Sequence, residues 1–232
     1  NILHGFHTSS KPFELEKERL ENVKKLISSE NPDILILTEA CYGEENKYDI
    51  LMDYQEIFKF PYYFYGGRNI EWGSAILSKY PIIKSENLSE WWVSILRTQI
   101  KIKNKFLNVD VVHPYPNIDE DGRLKLFKKI LKKYELPYIL TGDFNAISPE
   151  DSYDRTKLVK GFKTFTKDAE KIVDSLLGKK AISYILSKGL KDAFKVKNKS
   201  FEFTVPTDFL SKNKDSGVRV DYIFCSMDMR II

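Results

Sequence analysis

The chain reads as an α/β protein in which sheets pack on one another beneath helices. Three observations carry that reading. Two short apolar runs, Asp33-Ile34-Leu35-Ile36-Leu37-Thr38 and Pro137-Tyr138-Ile139-Leu140, have the composition of strands buried on both faces, and each delivers an acid at its tip, Glu39 and Asp143. Between them lies a block of strand candidates close enough in sequence to form antiparallel hairpins. Helical patterns alternate unevenly with these strands, which argues against a purely parallel sheet.

In chain order, Phe13 to Glu30 predicts an amphipathic helix with Leu15, Leu20, Val23, Leu26 and Ile27 apolar, stopped by Asn31-Pro32. The buried strand ending on Glu39 follows. Gly73 to Leu77, Ile82 to Lys84, Val93 to Lys103 and Lys105 to Val112 are the hairpin strands; the alternation in Thr98 to Lys103 gives that strand one wet face, and Asn104 makes a tight turn. A helix is expected from about Ile118 to Tyr134, then the second buried strand. Further on, Lys167 to Leu177 and Lys180 to Ser187 read as helices, and Val218 to Cys225 as the last strand, with Asp221 inside it. Repeats, low-complexity tracts and linkers are absent, so one domain over 1–232 is expected.

With 232 residues, 42% of them hydrophobic, the chain can bury a sizeable core. Its apolar runs are about strand length, short of the roughly 20 residues a membrane span needs, so a span is not expected. Two cysteines, Cys41 and Cys225, make neither a disulfide framework nor a CxxC zinc site. That usage fits a reducing compartment, and the cytoplasm is the expectation. The net charge of +4 permits a polyanionic substrate without demanding one. Arg123, Lys125, Lys128, Lys129, Lys132 and Lys133 surround the stripe of Leu124, Phe127, Ile130 and Leu131, which reads as the solvated face of a helix.

Glu39, Asp143 and Asp221 share one property: each is a carboxylate in or at the end of an apolar strand. A buried charge needs a cation, an arginine or several donors, and three such acids with oxygen ligands suit a hard ion, Mg²⁺ or Mn²⁺. Each acid also has a local alternative, such as Asp221 paired with Arg219 or Asp143 bonded to turn amides. His113 follows Val109-Asp110-Val111-Val112 at a strand tip, where it reads either as a general acid or phosphate donor, or as a loop histidine held by backbone groups. His4 and His7 have no spacing that a metal-binding helix would use. Trp91-Trp92 reads equally as a base-stacking pair or as a buried aromatic pair.

Four segments occur in order: Asp33 to Ala40; Gly73-Ser74-Ala75-Ile76-Leu77-Ser78-Lys79-Tyr80-Pro81; Gly142-Asp143-Phe144-Asn145; and Arg219-Val220-Asp221-Tyr222-Ile223-Phe224. Together they resemble the signatures of the endonuclease/exonuclease/phosphatase superfamily, over nearly the whole chain. The resemblance implies the DNase-I-like fold, a four-layer α/β/β/α sandwich of two mixed sheets flanked by helices. It also implies site roles. Asn1 is similar to the asparagine that helps hold the metal or the phosphate, and Glu39 to the metal-binding glutamate. Asp143 is similar to the aspartate that orients or deprotonates the attacking water, and Asn145 to its partner on the scissile phosphate. Asp221 resembles the aspartate that supports the catalytic histidine or a metal, and His113 the histidine of DNase-like members. Pro116-Asn117 is also similar to the segment in which AP endonucleases carry a tyrosine. Arg68-Asn69 is a candidate phosphate contact and Glu71 an acidic partner for His113. The family's closing Ser-Asp-His motif is absent and no histidine follows His113. With a start on Asn1 rather than Met, this leads to the expectation that the chain continues at both ends.

The implied activity is a Mg²⁺- or Mn²⁺-dependent phosphodiester hydrolase, a nuclease with DNA or RNA as substrate and no obligate protein partner. The alternatives are a phosphatase or phosphodiesterase for a small or lipid phosphate, and an inactive binding module of the same fold.

Overall fold

The computed structural model describes residues 1–8, 14–41, 50–67, 73–164, 166–206 and 217–232. It divides into two compact units: residues 1–113 with 137–143, and residues 114–136 with 144–232.

The first unit holds strands β1 (Ile34–Cys41), β2 (Tyr62–Gly66), β3 (Gly73–Ser78), β4 (Ile82–Asn87), β5 (Val93–Ile102), β6 (Lys105–Pro114) and β7 (Tyr138–Asp143), with helices α1 (Lys17–Glu30) and α2 (Ile50–Phe58). β1, β3 and β2 form an antiparallel sheet in that order. In a second, mixed sheet β4 to β7 are neighbours in chain order, with β4 antiparallel to β5 and β6 parallel to β7. The expected hairpins are present for β4 with β5 and β5 with β6, but not for β3, which was expected to join that series and pairs with β1 and β2 in the other sheet. The two-residue turn at Lys103-Asn104 joins β5 to β6, Lys103 taking a positive φ of 54°. β5 shows the expected wet face: Arg97, Gln99 and Lys101 alternate with buried Leu96, Thr98 and Ile100. β2, rich in tyrosine and half exposed, was not foreseen.

The first helix departs from expectation. It begins at Lys17, because Leu15 is instead bridged to His7, and Leu15 and Leu26 are exposed. Only Leu20, Val23 and Ile27 pack on the core cluster that includes Phe6, Leu37, Tyr54 and Leu77.

Burial of Asp110 ties β5, β6 and β7 together. Arg97 donates to both of its oxygens, with Nη2 to Oδ2 at 2.6 Å, and the Tyr138 hydroxyl donates to Oδ2 at 2.8 Å. Burial, reinforced by Asp110, pushes the Tyr138 phenol well above its ordinary pKa, so it stays a donor.

The second unit holds α3 (Glu120–Ile130), α4 (Arg155–Phe162), α5 (Ala169–Leu177), α6 (Lys180–Ser187), β8 (Lys191–Asp192), α7 (Ala193–Lys197) and β9 (Asp221–Cys225), with β8 antiparallel to β9. Asp119, Asp154 and Asp192 cap α3, α4 and α7 through their carboxylates. α3 is shorter than expected and its basic face is incomplete: Arg123 is buried, donating to the Pro116 carbonyl at 2.8 Å and lying 3.4 Å from Glu120. α6 has the expected bounds, whereas α4 and α7 were not resolved from their polar surroundings. Phe144 is enclosed by Phe127, Tyr222 and Phe224, with ring centroids 5.3 to 5.4 Å away.

No helix among the described residues is long and apolar enough to cross a membrane.

Candidate active site

In the first unit four of the sequence candidates converge: Asn1, Glu39, His113 and Asp143. Each is delivered by a separate backbone device.

Asn1 is held beside β1 by the bond from the Ile2 amide to the Thr38 carbonyl, 3.0 Å. The chain then makes a left-handed turn, with φ of 41°, 52°, 61° and 67° at Leu3, His4, Gly5 and Phe6. Arg19 secures that turn, its Nη2 donating to the carbonyls of Leu3 at 3.1 Å and His7 at 3.3 Å, with its guanidinium over the Phe6 ring.

Glu39 was expected at the end of a strand. It lies inside β1 instead, where the register with β3 slips between Thr38 and Cys41, and its φ is 53°. A bulge re-aims side chains, and a non-glycine residue in this region costs about 1–3 kcal/mol, which the surrounding ladder must sustain. Sequence reasoning had no means to see this strain.

His113 and Asp143 come from β6 and β7. Because those strands are parallel, with Val112 opposite Gly142, the next residues emerge side by side at the C-terminal ends of the two strands. Both are buried.

The side chains meet around the Asn1 amide. Its Nδ2 donates to Glu39 Oε1 at 2.8 Å and to Asp143 Oδ2 at 3.0 Å. Its Oδ1 accepts from the Leu3 amide at 2.8 Å, which fixes the amide's orientation. Glu39 Oε2 accepts from the His4 amide at 3.0 Å and lies 3.9 Å from His4 Nδ1. His113 Nε2 sits 3.9 Å from Glu39 Oε1 and 3.8 Å from Asp143 Oδ2. Two buried carboxylates thus share one neutral donor, with an imidazole facing both. Glu39 also interacts electrostatically with the Arg19 guanidinium, and among the described residues no three His, Cys, Asp or Glu side chains form a closed metal cage. Sequence reasoning missed His4, whose contribution is a backbone amide, and Arg19, an arginine in a first helical turn otherwise made of Lys, Glu and Leu.

Asn145 and Asp221 belong to the second unit. Asn145 has a φ of 45° and donates from Nδ2 to the Pro114 carbonyl at 2.9 Å. It lines a cavity of about 500 Å³ together with Pro116, Asn117, Arg123, Thr166 and Val220. Asp221 opens β9 half-buried, and the strand is less apolar in environment than expected, since Ile223 is 55% exposed. The local pairing of Asp221 with Arg219 is not formed. Arg219 instead binds Asp151 Oδ2 at 2.8 Å and Asp192 Oδ2 at 2.6 Å. Arg68, Asn69 and Glu71 lie outside the described residues.

The profile of the Endonuclease/Exonuclease/phosphatase family matches residues 1–230, and the chain belongs to that family. No curated protein matches it. Solved structures share the fold at low identity. The endonuclease/exonuclease/phosphatase family protein from Leptotrichia buccalis C-1013-b has a TM-score of 0.63 and 15% identity, over 98% of this chain and 87% of that one. An AP endonuclease from Archaeoglobus fulgidus has a TM-score of 0.60 and 21% identity, over 90% and 82%. D. rerio TDP2 complexed with single strand DNA product has a TM-score of 0.57 and 15% identity, over 92% and 79%. The α/β, DNase-I-like fold class expected from the sequence is therefore correct.

Proposed function

We propose that this chain is a divalent-metal-dependent phosphodiester hydrolase acting on DNA or RNA. The observation that carries the reading is the Asn1 amide shared between Glu39 and Asp143, with His113 Nε2 within 4 Å of both. Two buried carboxylates this close repel unless a cation or proton lies nearby. The donors are hard oxygens, which fits Mg²⁺ or Mn²⁺. An open, incomplete donor set suits Mg²⁺ in particular, since that ion keeps waters and substrate phosphate oxygens among its ligands. Glu39 would hold it. Asn1 presents nitrogen to the carboxylates, so ligation by its Oδ1 requires the amide to turn over and release the Leu3 amide.

When bound, the ion supplies charge neutralisation at the phosphate and acidifies a water. Asp143 holds the attacking water in line with the leaving oxygen and accepts its proton. The water oxygen bonds to phosphorus as the ester P–O bond breaks, and the leaving oxygen takes a proton from solvent, yielding a phosphate monoester and a free hydroxyl. His113 donates from Nε2 to a phosphate oxygen as charge accumulates there. Asn1 keeps Glu39 and Asp143 in register. The family resemblance adds Asn145 and Arg68 as phosphate contacts and Asp221 as a supporting acid. Nucleic acid is favoured as substrate by the AP endonuclease and TDP2 among the structural relatives, and the net charge of +4 permits it.

The test is an assay with Mg²⁺, and with a chelator, on plasmid, abasic duplex, RNA and a phosphorylated inositol. Glu39→Ala and Asp143→Ala should each lower the rate at least about a hundredfold. Activity that survives both substitutions sinks the proposed site, and turnover confined to the inositol moves the substrate to small phosphates.

A further inference from the structure

Trp91 and Trp92 are the two central residues of a tight turn between β4 and β5. Glu90 and Val93 close it with paired backbone bonds, 2.9 Å from the Glu90 amide to the Val93 carbonyl and 3.1 Å in return. Each indole is 62% exposed, so the buried aromatic pair that the sequence left open is excluded. The turn is a firm mount. The Leu88 amide donates to the Ile95 carbonyl, the Ile95 amide to Ser89 Oγ, and Ser94 Oγ to Ser74 Oγ on the other sheet at 2.9 Å.

The register of β5 on β6 places this turn at the candidate site. Arg97 meets Asp110, Gln99 Nε2 meets Asn108 Oδ1, and Thr98 Oγ1 meets the Val109 carbonyl. With the turn at Lys103-Asn104, all three agree on one alignment, and carried along the ladder it sets Ser94 opposite His113. Trp92 lies two residues beyond Ser94, roughly 7 Å at about 3.3 Å per strand residue. Measured along the strand, that offset equals about two base steps of 3.4 Å. Adjacent exposed indoles form one contiguous apolar patch, and it is contiguous patches rather than scattered residues that mark interaction sites. A polyanion held at His113 and Asp143 would present its neighbouring bases to these indoles.

We propose that Trp91 and Trp92 form a stacking platform for unpaired bases flanking the cleaved phosphate, so that the site takes single-stranded or locally unpaired nucleic acid in preference to intact duplex. This deepens the phosphodiesterase reading and rests on it for the placement of the phosphate. Stacking on an indole needs a free base face, which a base inside a continuous duplex does not offer.

The experiment measures binding of a labelled oligothymidylate and of a blunt duplex to the full chain by fluorescence anisotropy in chelator, then cleavage of both in Mg²⁺. Trp91→Ala and Trp92→Ala should each weaken single-strand binding about tenfold and leave duplex binding nearly unchanged. The double phenylalanine variant should retain most of the affinity, because an aromatic face remains. Unchanged single-strand binding in the double alanine variant overturns the platform, as does an equal loss on duplex. Self-association of the full chain that the double alanine variant abolishes would assign the turn to a second copy and also overturn it. The two readings fail separately: Trp-dependent binding without metal-dependent cleavage removes the hydrolase and keeps the platform, and cleavage indifferent to both tryptophans does the reverse.

Discussion

Gly142 stands opposite Val112 across the parallel β6–β7 pair, so close that a Cβ on Gly142 would overlap the Val112 carbonyl oxygen; its φ is +133°. The glycine of the Gly142-Asp143-Phe144-Asn145 segment is thus a requirement of close strand approach at the strand ends where Asp143 and His113 emerge. Gly142→Ala should destabilise the chain by more than about 2 kcal/mol, combining strain and overlap. Chemical denaturation checks this. The variant should also lose activity beyond its folded fraction, because Asp143 is the next residue.

Asn1 makes a different prediction, since it is exposed and adds little to packing. Asn1→Ala removes the donor shared by Glu39 and Asp143 and should lower the rate about a hundredfold at unchanged thermal stability. Asn1→Asp places a third carboxylate beside the two already there. Its activity should saturate at lower Mg²⁺ than the wild type's, because a further anionic oxygen strengthens cation binding, a shift visible in a metal titration. A rate unchanged in both variants would show that the amide has no part in positioning the acids.

The strands that carry the site were legible because burial on both faces demands continuous apolar runs, as in Ile34 to Leu37 and Tyr138 to Leu140. Glu39, His113 and Asp143 could be picked out as polar residues beside those runs. What brings them together was not legible. The bulge and positive φ at Glu39, the left-handed turn from Leu3 to Phe6, and the backbone amide of His4 are conformational facts with no side-chain signature. The burial of Asp221 was overestimated for the complementary reason: apolar neighbours in sequence do not show which face is covered, and Ile223 on the same face is exposed.

Glu120 gives a pH dependence. It opens α3 with its carboxylate accepting from the Ala181 amide at 2.8 Å, and burial, the largest influence, pushes its pKa above the ordinary 4.5 despite that bond and Arg123. A raised folded-state value means that folding favours the protonated form. That contribution is complete below the unfolded value and is lost as pH rises through the folded one. Glu120→Gln keeps the acceptor and removes the titration. The melting temperature of the variant minus that of the wild type should therefore grow as pH rises from 4.5 towards neutrality. Asp121, shifted the opposite way by Lys180, is common to both proteins and cancels. A flat difference across that window would mean that Glu120 is not protonated preferentially in the fold.

Arg219 sits in the motif nearest Asp221, yet its partners are elsewhere. Its guanidinium binds Asp151 and Asp192, lies between the Phe194 and Tyr222 rings at 5.2 and 4.4 Å, and is 2% exposed. Lys195 adds a second cation, 2.7 Å from Asp151 Oδ1, and the Tyr222 hydroxyl donates to the Arg219 carbonyl at 2.7 Å. Removing one partner from such a cluster strands a buried charge, so Arg219→Ala should cost about 3–5 kcal/mol. Lysine cannot reproduce the fork that reaches both aspartates, and Arg219→Lys should lose much of the same stability. A double-mutant cycle then separates structure from sequence proximity. Arg219 with Asp151 should couple by more than about 1 kcal/mol, and Arg219 with Asp221 by nearly nothing. Strong coupling to Asp221 would return that acid to the arginine and remove it from the list of groups available to the phosphate chemistry.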